Sequence, residues 1–204
     1  MEIDIMDISL ESLTLVDNAT HWDNNPPSGI LTLTWLYPRV NMDKPFITWV
    51  KTFGAVPDNF NPQLNKLDWF EKLAFRQTTD SQSVIIAEFA IVKDNGLMAD
   101  IVNAILGFGL TTAGGLIAQP ILGSVFSAVT SNIKVPEQQV TLLARGVGEI
   151  NPKAKSGSII DIPLLVPNDI VVVKEVSQTI PSHVQKGILL KQGADNGLLK
   201  LVLT

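Results

Sequence analysis

The side chains that most often perform catalysis are sparse in this sequence and lie far apart. The chain has two histidines, His21 and His183, and no cysteine. A hydrolytic triad needs a histidine beside a nucleophile and a carboxylate, but no G-x-S-x-G motif occurs. The missing cysteines also exclude thiol catalysis and cysteine-ligated zinc or iron–sulfur sites. We therefore predict a non-enzymatic protein without a cofactor.

One segment, residues 17–25, is rich in the oxygen ligands that calcium prefers. Its carboxylates, Asp17 and Asp23, are the candidate ligands, with Asn18, Asn24 and Asn25 beside them. The spacing is not that of an EF-hand, and Asx-rich turns have the same composition without any metal. Both explanations stay open.

Two charged residues interrupt runs that otherwise read as buried strands. Glu88 lies within VIIAEFAIVK and Arg145 within VTLLARGVGEI. A lone buried charge is costly, so we expect the two side chains to pair if their strands are neighbours. The alternative is that each side chain faces water.

The most unusual stretch runs from Ile101 to Ile133 and contains no charged residue. Its apolar residues recur mostly three and four positions apart, which places them on one helical face. Gly114-Gly115 is the natural break in this pattern, and Pro120 suits a first helical turn. The pattern predicts an apolar helical insertion over residues 97–132, as a hairpin or a kinked rod.

Small residues recur four apart in this segment, for example Gly107, Thr111 and Gly115. Such rows let two helix backbones approach closely, above all in lipid. Three explanations stay open: a buried core or oligomer interface, membrane insertion, and a lid over an apolar ligand cavity. The predicted membrane or interface residues are Ile101, Ile105, Gly107, Phe108, Thr111, Gly114, Gly115, Ile117, Ile121, Gly123 and Phe126.

The rest of the chain is strand-like. Alternating or continuous apolar runs predict strands over residues 2–15, 30–38, 45–53, 84–93, 140–150, 158–166 and 169–176. Asn196-Gly197 tolerates positive φ and predicts a final hairpin that pairs residues 187–192 with 198–204. Asn61-Pro62 opens one predicted amphipathic surface helix that reaches Ala74. These elements predict a single mainly β domain, 1–204, built as an antiparallel β-sandwich of Greek-key or C2-like shape.

Composition narrows the range of partners and compartments. The formal net charge is −5 and only 17% of residues are charged, with no cluster of lysine and arginine. We therefore expect no nucleic-acid partner. The acidic, alternating N-terminal residues are unlike a secretory signal. This predicts a protein that is cytoplasmic as synthesised, with membrane association or non-classical export as alternatives.

The uncharged segment decides the functional prediction. We expect an interaction protein that uses this segment for self-association, as a homo-oligomer or with a protein partner, or for membrane insertion, including pore formation. The alternative is a binding module whose sandwich cavity holds an apolar small molecule under a lid formed by the helices.

Overall fold

A computed structural model describes residues 5–19, 26–36, 46–79, 81–111, 125–133, 139–175 and 185–204 of the 204. The strands are β1 Ile5–Leu15, β2 Ser28–Leu36, β3 Phe46–Phe53, β4 Leu73–Thr78, β5 Ser83–Val92, β6 Val140–Ile150, β7 Ile159–Leu165, β8 Ile170–Glu175, β9 Gln185–Leu190 and β10 Asp195–Leu203. The helices are α1 Trp69–Lys72, α2 Met98–Thr111 and α3 Val125–Asn132. Short 3₁₀ turns occupy Leu64–Lys66 and Asn95–Leu97.

Eight of these strands form one antiparallel sheet in the order β3-β2-β5-β6-β7-β10-β1-β4, and β8 pairs with β9 separately. The sheet curls until its two edge strands, β3 and β4, come into contact. The predicted mainly antiparallel β class is therefore confirmed. The sandwich arrangement and the single-domain boundary stay predictions.

The two faces of the sheet differ in what covers them. Leu31, Leu33 and Trp35 point from β2 into the main core together with Phe89 of β5, and we call this side the inner face. Because side chains alternate along a strand, residues such as Ile30 and Thr32 point to the opposite side, the outer face. All nine residues of β2 are buried, so both faces are covered at this strand.

The predicted surface helix over residues 61–74 is wrong. Within these residues the structure has only the 3₁₀ turn Leu64–Lys66 and the one-turn helix α1, which is followed directly by β4. Asp68 and Glu71 form a reciprocal capping box that starts α1 at Trp69, and Leu73 is already extended. Of the apolar residues on the predicted helical face, Leu73 and Ala74 lie in β4 instead, Leu64 is buried in the main core and Phe70 is 78% exposed.

A cross-strand ion pair holds β4 to β1. Arg76 donates from Nε to Asp7 Oδ1 at 2.8 Å and from Nη2 to Oδ2 at 2.6 Å. These hydrogen bonds raise the pKa of Arg76 above its ordinary value, and the charge of Asp7 adds to the shift. The guanidinium also lies over the Trp69 ring, 5.2 Å from its centroid. Strand pairing and this contact thus override the local helix signal.

The predicted final hairpin is also wrong. β9 pairs with β8, whereas β10 pairs with β1 and β7. Asn196 is buried inside β10, and its side chain accepts a hydrogen bond from the Asp17 N–H at 2.9 Å. Gly197 has a φ of 150°, and a Cβ there would collide with the Thr14 carbonyl oxygen. The Asn-Gly pair therefore permits close strand packing here instead of a turn.

The uncharged segment does form helix at both ends. α2 has 14 residues and α3 has eight, and the two helices contact each other. The predicted break at Gly114-Gly115 and the connection between the helices lie outside the described residues. A helical hairpin is therefore not confirmed, although two short contacting helices are.

Candidate functional site

The two helices cover one half of the outer face. Among the helix side chains that the structure describes, four are at most 2% exposed: Ile101 and Ile105 from α2, and Phe126 and Val129 from α3. They pack in one cluster with Ile30, Ala90 and Val92 of the sheet. The described part of the apolar helical segment is thus covered by the chain's own strands.

A tight turn directs α2 back over the sheet. Asp94 follows β5, and its Oδ1 accepts a hydrogen bond from the Gly96 N–H at 2.8 Å, while its carbonyl accepts one from the Leu97 N–H at 3.0 Å. Ser28 Oγ donates to Asn95 Oδ1 at 2.6 Å and ties the turn to the start of β2. The position of α2 is therefore set where β5 ends.

A row of polar side chains crosses the outer face beside the helices. Thr32, Glu88 and Arg145 are direct partners in the register of β2, β5 and β6. Arg145 Nε lies 3.8 Å from Glu88 Oε1. The pairing predicted from the sequence is therefore confirmed, since the two strands are neighbours and the charges meet.

Glu88 also connects the sheet to α3. Its side chain is 1% exposed, and Oε2 accepts a hydrogen bond from the Phe126 N–H at 3.1 Å. This N–H belongs to the first turn of α3, where the helix dipole favours a negative charge. One buried carboxylate thus joins a cation of the sheet to the start of the helix that covers it.

Thr34 and Thr48 extend this row into what we call the polar patch, comprising Thr32, Thr34, Thr48, Glu88 and Arg145. Thr34 and Thr48 are cross-strand partners on the same face. The Oγ1 atoms of all three threonines are buried and have no hydrogen-bond partner among the described residues. Each such buried, unsatisfied group costs about 1–3 kcal/mol.

The burial of these three hydroxyls was not predicted from the sequence. Threonine alternating with leucine along β2 is the usual pattern of a strand with one solvated face. The available signal was the covering segment: an uncharged helix pair must lie on something, and β2, unlike β1 and β3, contains no charged residue.

The predicted membrane or interface residues divide into three groups. Ile101, Ile105 and Phe126 are core residues in the docked helices. Gly107, Phe108 and Thr111 lie within α2. Gly114, Gly115, Ile117, Ile121 and Gly123 lie outside the described residues, so the predicted set as a whole stays a prediction.

Gly107 bears on the prediction of close helix approach. It is half-buried, and a Cβ placed there would meet no atom of the described residues within 4 Å. Packing against the described part of the chain therefore does not require a glycine here. The neighbouring Leu106 is 46% exposed, so α2 has an apolar outward surface at this point.

The described residues do not form a calcium site around the predicted ligands. Asp17 Oδ1 accepts a hydrogen bond from the Ala19 N–H at 2.7 Å, which is an Asx turn, and Asp23 lies outside the described residues. Within the described ranges no group of three or more histidine, cysteine, aspartate or glutamate side chains is placed to hold a metal ion. His21 and His183 also lie outside them.

Neither helix length nor similarity assigns a role to this site. None of the helices in the described ranges is long and apolar enough to cross a membrane. No family model, no curated protein and no solved structure matches the chain.

Proposed function

We propose that the chain is a non-enzymatic interaction protein that stores an apolar helical segment on its sheet and releases it for self-association or membrane insertion. In this proposal the curled, sandwich-like sheet holds the helical segment until it is released. The segment that begins with α2 and ends with α3 is the working element.

The observation that carries the proposal is the hydrogen bond from the Phe126 N–H to Glu88 Oε2. It is a charge-assisted contact at the point where α3 begins. A hydrogen bond to a charged group contributes about 1.5–3 kcal/mol, so a change at one carboxylate is sufficient to alter the docking equilibrium.

The polar patch supplies the opposing contribution. Thr32, Thr34 and Thr48 have buried hydroxyls without partners in the described chain, and water would satisfy them if the outer face were uncovered. In the docked state, burial of apolar side chains stabilises the helices on the sheet, whereas the unsatisfied hydroxyls destabilise this arrangement. The helical segment is therefore expected to leave the sheet when another helix or a lipid bilayer offers it a better apolar environment.

Release would expose a surface suited to other helices or lipid. The freed face would carry Ile101, Ile105, Phe126 and Val129, and Gly107 would offer the close approach typical of membrane and oligomer helices. α2 alone, at 14 residues, is shorter than the roughly 20 residues that span a bilayer. Pore formation is the more specific form of this proposal, and it therefore requires helices longer than α2 and α3 are in the docked state.

Glu88→Gln tests the proposal directly. The amide keeps the size of the side chain but loses the charge that faces Arg145 and the start of α3. We expect binding to phosphatidylcholine–phosphatidylserine liposomes, or self-association, to increase by about tenfold, since about 1.4 kcal/mol corresponds to that factor. Liposome co-sedimentation and size-exclusion light scattering on one sample measure both.

Two controls isolate the release step. Glu149→Gln makes the same charge change on β6 at an exposed position and should have no effect. The chain has no cysteine, so Val50→Cys with Val102→Cys allows a short bis-maleimide to join β3 to α2 within their shared apolar cluster. If the cross-linked protein binds liposomes and self-associates as well as the uncross-linked one, release is not the mechanism.

A further inference from the structure

Two neighbouring aromatic side chains are exposed on α1. Trp69 is 50% and Phe70 is 78% exposed, and their ring centroids lie 6.4 Å apart. Single exposed apolar residues are ordinary, but here two large aromatic side chains share one turn of helix, and α1 has no buried residue. We call this pair the aromatic tip.

Contacts within the sheet hold the aromatic tip in position. The capping box between Asp68 and Glu71 fixes the start of α1. Arg76 of β4 lies over the Trp69 ring and is itself hydrogen-bonded to Asp7 of β1. Binding through a surface that is already positioned loses less conformational entropy than binding through a mobile one.

Lysine side chains accompany the aromatic tip. Lys66 lies in the preceding 3₁₀ turn and Lys72 ends α1, whereas Lys51 of β3 donates from Nζ to the Glu71 carbonyl oxygen at 3.4 Å. None of the three forms an ion pair among the described residues. The carboxylates of Asp68 and Glu71 accept hydrogen bonds from backbone N–H groups instead. The charges of Lys66 and Lys72 are therefore not neutralised by a direct partner.

The size of the tip distinguishes between classes of partner. Aromatic side chains bury about 150–250 Å² each, so at these exposures the tip offers roughly 200–300 Å² of apolar surface. A standard protein–protein interface needs about 800 Å² on each partner, which the tip does not supply. Aromatic side chains enter the headgroup region of a bilayer individually, and neighbouring lysines are attracted to anionic lipids.

We propose that the aromatic tip docks the protein on an anionic phospholipid surface. Trp69 and Phe70 enter the headgroup region, and Lys66 and Lys72 face the anionic head groups. A neutral bilayer would leave the lysines without partners, and a soluble anion would leave the aromatic rings in water. Docking does not depend on release of the helical segment, because no residue of α2 or α3 belongs to the tip.

Spin labels test which part of the protein enters the bilayer. The chain has no cysteine, so Phe70→Cys and Leu106→Cys each provide one labelling site, on the tip and on the outward surface of α2. Electron paramagnetic resonance, with oxygen and a nickel chelate as relaxants, is measured on phosphatidylcholine–phosphatidylserine vesicles. We expect the label at position 70 to lie at the head groups and the label at position 106 to stay in water. Absence of binding, or lipid contact at position 106 alone, would overturn the proposal.

Phe70→Ser removes most of the apolar surface of the tip. It should weaken binding to the same vesicles at least tenfold and leave the thermal unfolding midpoint unchanged, because Phe70 is largely exposed. Val147→Ser on β6 is the matched control, since Val147 is 54% exposed and does not belong to the tip. Equal binding by the two variants would contradict the assignment.

The lysines are tested by a charge-removing pair. Lys66→Gln with Lys72→Gln should lower binding to the phosphatidylserine vesicles by about fivefold for each lysine. Lys153→Gln with Lys155→Gln removes the same charge from exposed positions after β6 and should have little effect. An equal loss in both double variants would show that net charge, and not the tip, determines binding.

The cross-linked Val50→Cys, Val102→Cys protein separates docking by the tip from release of the helices. Cross-linking removes whatever binding release contributes, and Phe70→Ser should abolish the binding that remains. If the cross-linked protein does not bind vesicles at all, docking by the tip is refuted while the proposed function stands. If its binding is insensitive to Phe70→Ser, the docking site lies elsewhere on the protein.

Discussion

The inner and outer faces of β2 and β5 are both buried, yet they are built differently. On the inner face, Trp35 and Phe89 pack in a continuous apolar core, and the Trp35 Nε1–H is satisfied by Ser83 Oγ at 2.7 Å. On the outer face, Thr32 and Thr34 are equally inaccessible but their hydroxyls have no partner within the described residues. β2 therefore contributes its inner face to a well-packed apolar core and its outer face to a surface that contains unsatisfied hydroxyls among the described residues.

This difference indicates which surface specifies the fold. A fully satisfied apolar face has little to gain from rearrangement, whereas a face with unsatisfied polar groups does. The sheet is therefore expected to persist while its outer cover is exchanged. The following substitutions test that separation, starting with the largest effect.

Trp35→Ala attacks the inner face. Trp35 is fully buried, and removing a large aromatic side chain from a core costs about 3–5 kcal/mol. We expect the whole sheet to lose stability, because Trp35 also packs edge-on against Phe75 of β4, with ring centroids 5.6 Å apart. Urea unfolding followed by circular dichroism measures the loss. A loss below about 1 kcal/mol would contradict the assigned role of the inner face.

Phe126→Ala attacks the cover. Phe126 is 2% exposed, but in the proposed mechanism α3 leaves the sheet without unfolding it. We therefore expect a smaller loss of global stability than for Trp35→Ala, of about 1–2 kcal/mol, together with faster amide exchange in α2 and α3. Hydrogen exchange by mass spectrometry distinguishes the two regions. Equal acceleration in β2 and β5 would mean that the helices and the sheet form one cooperative unit.

Thr34→Val should stabilise the docked state. The change keeps the shape of the side chain and removes a buried hydroxyl that lacks a partner, so we expect a gain of about 1 kcal/mol. Thr52→Val on β3 is the control, because Thr52 is exposed and shares the same strand preference. Urea midpoints compare them. Destabilisation by Thr34→Val would show that this hydroxyl is satisfied in solution.

The positions of strands could be predicted best from the sequence where an apolar run had clear ends. β2, β3, β5 and β6 lie within a few residues of their predicted positions, since alternating or continuous apolar residues have few other stable arrangements. The contact between Glu88 and Arg145 could be predicted from the sequence on one condition, namely that β5 and β6 are neighbouring strands.

Prediction failed where local signals met long-range pairing. Asn61-Pro62 is typical of a helix start and Asn196-Gly197 of a turn, but neither pattern contains information about β1, which takes β4 and β10 as its neighbours. The three hydroxyls of the polar patch were missed for the same reason. The patch is formed by residues from β2, β3, β5 and β6, which no local window brings together.

The position of β10 has a consequence for the order of assembly. Ile8 pairs with Leu203, although nearly two hundred positions separate them. During synthesis β1 therefore lacks this neighbour until almost the whole stretch described here has left the ribosome, and contacts so distant in sequence form slowly. In the interval the apolar residues of β1, among them Leu10 and Leu13, have an open edge available to other chains. A chaperone that binds nascent chains would therefore have a long-lived target in β1.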